Sequence, residues 1–123
     1  MTDPRHRLGR RAEDAVAAWL IGEGWRVLAR RWRCDRGELD LVCRDRAGSL
    51  VGVEVKCRRT NHAGAPADGV DARRVARLRA TLAAYQAQRC EPARSLRIDL
   101  VTVVPQPEGS AWRLTRTAQI DAW

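Results

Sequence analysis

Asp40, Glu54 and Lys56 stand in the stretch GELDLVCRDRAGSLVGVEVKC, two carboxylates and one ammonium in what reads as a strand, a turn-rich connection and a second strand. Side chains alternate across a strand, so Glu38, Asp40 and Val42 are expected on one face and Leu39, Leu41 and Cys43 on the other. On the partner strand Glu54, Lys56 and Arg58 share a face, opposed to Val51, Val53, Val55 and Cys57. A connection over 45–49 pairs Arg44 with Leu50, and counting back puts Asp40 opposite Glu54 and Glu38 opposite Lys56. Opposed residues of an antiparallel pair have Cβ atoms about 4.5–5.5 Å apart. Two carboxylates that close repel unless a cation or a proton lies between them. Hard oxygen ligands suit Mg²⁺, which keeps several waters and takes one or two protein carboxylates. A lysine on the same side would orient an attacking water or stabilise an oxyanion developing on phosphorus.

Lys56 is singular in another respect. The chain has 23 basic residues, and Lys56 is the only lysine among them. Arginine is a poor substitute where a compact charge is needed, because its planar fork is larger and its pKa is too high for proton transfer. The competing reading is a solvated strand face carrying four paired charges, an arrangement worth little energetically.

The elements that must position these residues follow from apolar periodicity. An N-terminal helix is expected from the Asp3-Pro4 cap to Gly24, with Leu8, Ala12, Ala15, Val16, Trp19 and Leu20 on its apolar stripe. Residues 25–32 read as a short strand, and 37–44 and 50–57 as the two strands of the hairpin. A Gly/Ala/Pro loop over 60–69 leads to a second helix over 70–88, with Val75, Leu78, Leu82 and Tyr85 facing the core. The run 96–104 is apolar on both faces, as a central strand is, and after the turn PQPEG a last strand is expected over 110–116. The expectation is an α/β fold in a single compact domain spanning 1–123, a mixed central β-sheet flanked by helices.

Composition narrows the partners. A net charge of +8 over 123 residues points to an anionic partner, by default nucleic acid, although an Arg- and Ala-rich chain also reflects a GC-rich genome. No apolar run approaches the ~20 residues that span a bilayer, and the N-terminal stretch lacks the apolar segment of a signal peptide. The expected location is cytoplasmic, with no membrane partner. Cys34, Cys43, Cys57 and Cys90 lie at wide spacings without a C-x-x-C, which argues against a zinc or redox centre. Cys43 and Cys57 fall in apolar strands, where a thiol behaves as a small core residue. His6 and His62 fall in terminal or loop-like sequence and give a catalytic histidine little to stand on.

Asp, then strand-turn-strand, then Glu-x-Lys is the core motif of the PD-(D/E)XK nuclease superfamily. The stretch GELDLVCRDRAGSLVGVEVKCRR resembles the GE(I/L)DL(I/V)…(V/F)VEVK.R pattern of the YraN family, bacterial proteins similar to Holliday-junction resolvases. The likeness covers nearly the whole chain: GRRAEDAVAAWLIGEGWRVLARRWR is similar to the family's opening helix and strand, RIDLVTV to its RFD(V/L)V.V, and IDAW to its closing segment. The resemblance implies a restriction-endonuclease-like fold, Mg²⁺ (or Mn²⁺) held by Asp40 and Glu54, and Lys56 as the catalytic lysine. It also implies a helical glutamate completing the site, for which Glu13 is at the matching place, with a solvated helix residue as the alternative. Ala12 departs from the family's common glycine, and Arg73 or Arg74 from a common lysine.

The main-chain carbonyl of Val55 is a further candidate metal ligand. Arg58, on the face of Glu54 and Lys56, and Arg73, Arg74 and Arg77, expected on the outer side of the second helix, are candidates for nucleic-acid phosphates. Asp99 in its apolar strand reads as a structural partner for an arginine, since an unpaired carboxylate there would be costly, with a supporting group near the site as the alternative. Trp25 and Trp32 read as core residues rather than base-stacking platforms. The leading functional expectation is a Mg²⁺-dependent endonuclease acting on DNA, at branched or flapped structures, with a homodimer left open. The rivals are a nucleic-acid-binding module without turnover and a structural domain whose charge reflects genome composition.

Overall fold

Short apolar runs bounded by turn residues assemble one sheet, and two amphipathic helices cover it. The computed structural model describes residues 4–58, 71–106 and 112–122. Its elements are α1 (Pro4–Gly22), β1 (Arg26–Cys34), β2 (Gly37–Arg44), β3 (Leu50–Cys57), α2 (Ala72–Arg89), β4 (Leu96–Val104), β5 (Arg113–Thr117) and a 3₁₀ turn, Ile120–Ala122. The strands lie in the order β1-β2-β3-β4-β5. β3 and β4 are parallel and joined through α2, while the other neighbours are antiparallel. This is the expected α/β architecture, a five-stranded mixed sheet with flanking helices, consistent with a restriction-endonuclease-like fold. Asp3, His62 and the loop 60–69 lie outside the described residues.

Each face of the sheet has its own core. Ala12, Val16, Ala17 and Leu20 of α1 pack on Leu41, Cys43, Val51, Val53, Val101 and Val103. Leu78, Leu82 and Tyr85 of α2 pack on Leu39, Val42, Leu50, Ile98 and Leu100, with Ile120 closing the end. Burying each large aliphatic side chain is worth about 1.5–3 kcal/mol. Gly52 lets the layers close, since a Cβ there would meet Ile98 Cδ1 at 2.9 Å and Leu39 Cδ2 at 3.1 Å. Trp32 stacks edge-on against Tyr85 at 5.2 Å, and Trp25 lies beneath the guanidinium groups of Arg97 and Arg116 at 5.5 and 5.3 Å. Both tryptophans thus serve packing. Cys43 is fully buried, which pushes its thiol up to about 12.

Two expectations about the hairpin need correction. The first is strict alternation along β2, which fails at Asp40: Leu39 lies with Val42 on the α2 side, while Leu41 lies on the α1 side. Arg31, which would stand across from Asp40 between the Arg30–Leu41 and Trp32–Leu39 pairs, has a left-handed backbone, φ 50°. The edge pair is kinked there, and face parity does not carry through the kink. The second is the pairing of Glu38 with Lys56. β2 and β3 pair over Arg44–Leu50 to Leu41–Val53, as counted, and then part. Upstream of Leu41, β2 stays with β1; beyond Val53, β3 stays with β4 as far as Cys57–Val103. Glu38 bonds Arg33 instead, at 2.8 Å.

Candidate active site

The parting of β2 and β3 opens a notch in the sheet, and Asp40 and Glu54 sit at its apex. Backbone amides freed by the broken ladder need acceptors, and the carboxylates supply them crosswise. Val55 N donates to Asp40 Oδ2 at 2.8 Å, and Asp40 N donates to Glu54 Oε1 at 3.4 Å. The two acids therefore hold the notch open as well as line it. Glu54 is 5% exposed, and its Oε2 accepts from Arg74 Nη2 at 2.9 Å.

Burial and the charge of Glu54 push the Asp40 carboxyl up to about 7, against the lowering effect of the Val55 amide, with Glu13 and Glu38 adding to the rise. Burial also raises Glu54, opposed by Arg74 and by the Asp40 amide. One cation is too few for two carboxylates. Burial is the larger cause of Asp40's raised proton affinity, and the charge of Glu54, which Arg74 offsets only in part, adds to it.

Lys56 is half-buried and in register with Thr102 of β4, so the two side chains leave the sheet together. Among the described residues Lys56 is in no ion pair. The hydroxyl of Thr102, 8% exposed, makes no hydrogen bond with the described residues. A buried hydroxyl left unmatched costs about 1–3 kcal/mol. Its position beside Lys56 suits a donor or acceptor of an occupant of the site. Nothing in the apolar reading of 96–104 singled Thr102 out; the parallel register with Lys56 is what reveals it.

The remaining candidates are placed unequally. Glu13 approaches closely enough to raise Asp40, but its carboxylate is held by Arg31 Nε at 2.8 Å. Among the described residues no group of three or more His, Cys, Asp or Glu side chains converges to hold a metal. The donor set is thus Asp40 and Glu54, with the Val55 carbonyl beside them. That set fits Mg²⁺, which takes hard oxygens, needs one or two carboxylates and completes its shell with water. Arg58 continues β3, its amide donating to Val103 O at 2.9 Å. Arg73 and Arg77 are exposed. Arg74 is the exception to the expected outer face, since it turns inward to Glu54 from the first turn of α2. There its amide is capped by Asp71 Oδ1 at 2.8 Å.

A model of the Uncharacterised protein family UPF0102 matches residues 12–103, from Ala12 on α1 to Val103 near the end of β4. This chain belongs to that family. It is the YraN family of the sequence resemblance. Among its UPF0102 relatives, one from Beutenbergia cavernae is 43% identical over 109 residues, covering 82% of this chain and 92% of the relative. One from a Nocardioides species is 40% identical over 107 residues, covering 87% and 86%. One from Moorella thermoacetica is 40% identical over 103 residues, covering 84% and 85%. The UPF0102 match spans the C-terminal part of α1, the hairpin, α2 and most of β4, the elements that carry every residue of the notch.

The raised Asp40 has a consequence for stability. A native carboxyl whose pKa lies above the unfolded value of 3.8 stabilises the fold below that value. The contribution is lost as pH rises through about 7. At about 1.36 kcal/mol per pH unit the full penalty at pH 8 is at most about 4 kcal/mol. Relaxation of a half-buried site reduces this to about 1–2 kcal/mol. Asp40→Asn keeps an acceptor for Val55 N and removes the charge. In EDTA it is expected to raise Tm by several degrees at pH 8 and to change it little at pH 4. A variant less stable than wild type at pH 8 would show that the repulsion is not real.

Proposed function

We propose that this protein is a divalent-metal-dependent endonuclease that hydrolyses phosphodiester bonds in DNA. The observation that carries the reading is the notch itself. A buried and a half-buried carboxylate face each other with incomplete neutralisation where the sheet parts, and the only lysine of the chain leaves β3 on the same side as Glu54. A protein selected for stability alone would replace such a pair with apolar residues. Perturbed acids at a structural opening are characteristic of working sites.

In this reading Asp40 and Glu54 hold Mg²⁺ or Mn²⁺, with the Val55 carbonyl as a further ligand. The metal supplies the positive charge against which the phosphodiester's transition state develops. Lys56 orients the attacking water and stabilises the equatorial oxygens of the phosphorus with a compact charge. Thr102, next to it, limits where the ammonium rests. Glu13 acts at a distance, through its charge and by fixing Arg31. The partner is nucleic acid, with Arg58, Arg73, Arg74 and Arg77 along its phosphates.

The test is a cleavage panel of duplex, single-stranded, flapped and four-way DNA with Mg²⁺ or Mn²⁺, compared with EDTA. Metal-dependent cutting of at least one substrate is expected. No cutting of any member, with binding retained, would transfer the reading to a binding module of the same fold. Binding has its own signature. Four phosphate contacts at a slope of about −0.9 each lower affinity about 10²-fold between 50 and 200 mM salt. Reversing the charge of Arg73, Arg74 and Arg77 together should flatten that slope without regard to DNA sequence. An unchanged slope would move the contact surface off α2.

A further inference from the structure

Arg74 belongs to two places at once. Its guanidinium neutralises Glu54 at 2.9 Å, with the arginine side chain 49% exposed and the glutamate 7%. It also lines a cavity of about 250 Å³ between the β1–β2 turn and α2, together with Arg36, Gly37, Glu38, Arg77, Leu78 and Thr81. At its edge Gly37 lets the turn approach the helix, where a Cβ would stand 3.1 Å from Thr81 Oγ1. Three arginines and one glutamate line the cavity, and Glu38 is already bonded to Arg33 at 2.8 Å. The excess of positive charge around the cavity suits an anion such as a phosphate group.

We propose that Arg74 is a two-position residue coupling metal to phosphate, a proposal that rests on reading Asp40 and Glu54 as metal ligands. In the free protein its guanidinium stands in for the cation at Glu54. A divalent ion on the two carboxylates supplies that charge instead, and Arg74 is released to join Arg36 and Arg77 around a phosphate of the DNA strand. Glu54 cannot lose Arg74 without a replacement, because a buried carboxylate without a partner is strongly unfavourable. The exchange is therefore one for one, and each ligand must tighten the other by the same factor. The protein then engages strand and metal together, and resists metal loading while no strand is present.

The experiment titrates Mn²⁺ alone into the full chain, followed by electron paramagnetic resonance, for wild type, Arg74→Gln and Arg77→Gln. Removing the competing guanidinium should tighten Mn²⁺ about three- to tenfold in Arg74→Gln. Arg77→Gln, which removes the same charge from the same cavity without touching Glu54, should change it less than about twofold. A second arm measures a short single-stranded DNA, with and without a 5′-phosphate, in the presence and absence of Mg²⁺. Mg²⁺ should tighten it severalfold in wild type and leave Arg74→Gln indifferent. A gain confined to the phosphorylated end identifies a terminal phosphate as the ligand, and an equal gain for both identifies a backbone diester. Equal Mn²⁺ affinities for Arg74→Gln and Arg77→Gln would overturn the coupling while leaving the metal site standing. Failure of both wild type and Arg74→Gln to bind Mn²⁺ would overturn the metal reading and the coupling with it.

Discussion

Asp99→Ala is expected to destabilise the protein by about 3–5 kcal/mol, the loss that follows when one partner of a buried ionic network is removed. Asp99 is fully buried. Its Oδ1 accepts from Arg97 Nε at 3.0 Å and from Gln119 N at 2.9 Å, and its Oδ2 from Arg116 Nη1 at 2.9 Å and Arg97 Nη2 at 3.3 Å. Arg97 extends the network to Asp45 Oδ2 at 2.6 Å, in the turn between β2 and β3. The same two guanidinium groups cover Trp25. One carboxylate thus ties β4, β5, the hairpin turn and the entry to β1. Without it Arg97, whose side chain is 15% exposed, is left with Asp45 alone, and the more exposed Arg116 loses its carboxylate partner. A domain of this size has a total stability of about 5–15 kcal/mol, so the loss is a large share of it. Urea melts should show a lower midpoint at unchanged slope. An Asp99→Ala variant that melts with wild type and instead loses metal would reassign this residue from the fold to the site.

The strands were legible where an apolar run ended in turn residues. β2, β3 and β4 begin and end at the residues expected, because Gly37, the 45–49 turn and the polar stretch before Leu96 leave no other register for their buried faces. β1 is longer than its apolar portion suggests. Arg33 and Cys34 pair with Glu38 and Gly37 at the sheet's edge, and a solvated edge leaves no hydrophobic trace. The 3₁₀ turn escaped notice for a related reason, since three residues have no periodicity to read. Its Ile120 is buried and its Asp121 accepts from Ile98 N at 2.9 Å and pairs with Arg79, which also bonds the Leu96 carbonyl.

The proximity of Asp40 and Glu54 followed from loop length and pairing, but what happens at the pair did not. Pairing rules extend a ladder indefinitely, whereas here the carboxylates themselves replace the ladder and end it. The left-handed Arg31 shows the same limit, since a period of two cannot mark where a strand turns over. Amphipathicity puts Arg74 on the outer side of α2 because it sorts residues by where their Cβ points. A guanidinium reaches well beyond its Cβ, and a buried Glu54 needs a cation within reach. The available signal was the demand at Glu54 together with arginines in the first turn of the following helix.

Lys56→Arg is expected to reduce cleavage by about 10²–10³, the effect of losing one positioned electrostatic group. The substitution preserves charge, so long-range attraction for phosphate survives and DNA affinity should stay within about twofold of wild type. What changes is shape. Lys56 rises beside Thr102, whose hydroxyl is buried, on the face that carries Glu54. An ammonium there is a compact point charge. A guanidinium is a planar fork that binds carboxylates through two bonds at once. Placed at 56, it would pair with the acids of the notch, as Arg74 already does with Glu54 at 2.9 Å, and neutralise the charge that a divalent cation needs. Lys56→Arg should therefore weaken Mn²⁺ binding as well as cleavage, whereas Lys56→Gln should lose cleavage while binding Mn²⁺ at least as tightly as wild type. That opposition separates crowding of the metal from loss of the ammonium. If Lys56→Arg cuts DNA as fast as wild type under metal saturation, the only lysine among the basic residues has no chemical reason to be a lysine.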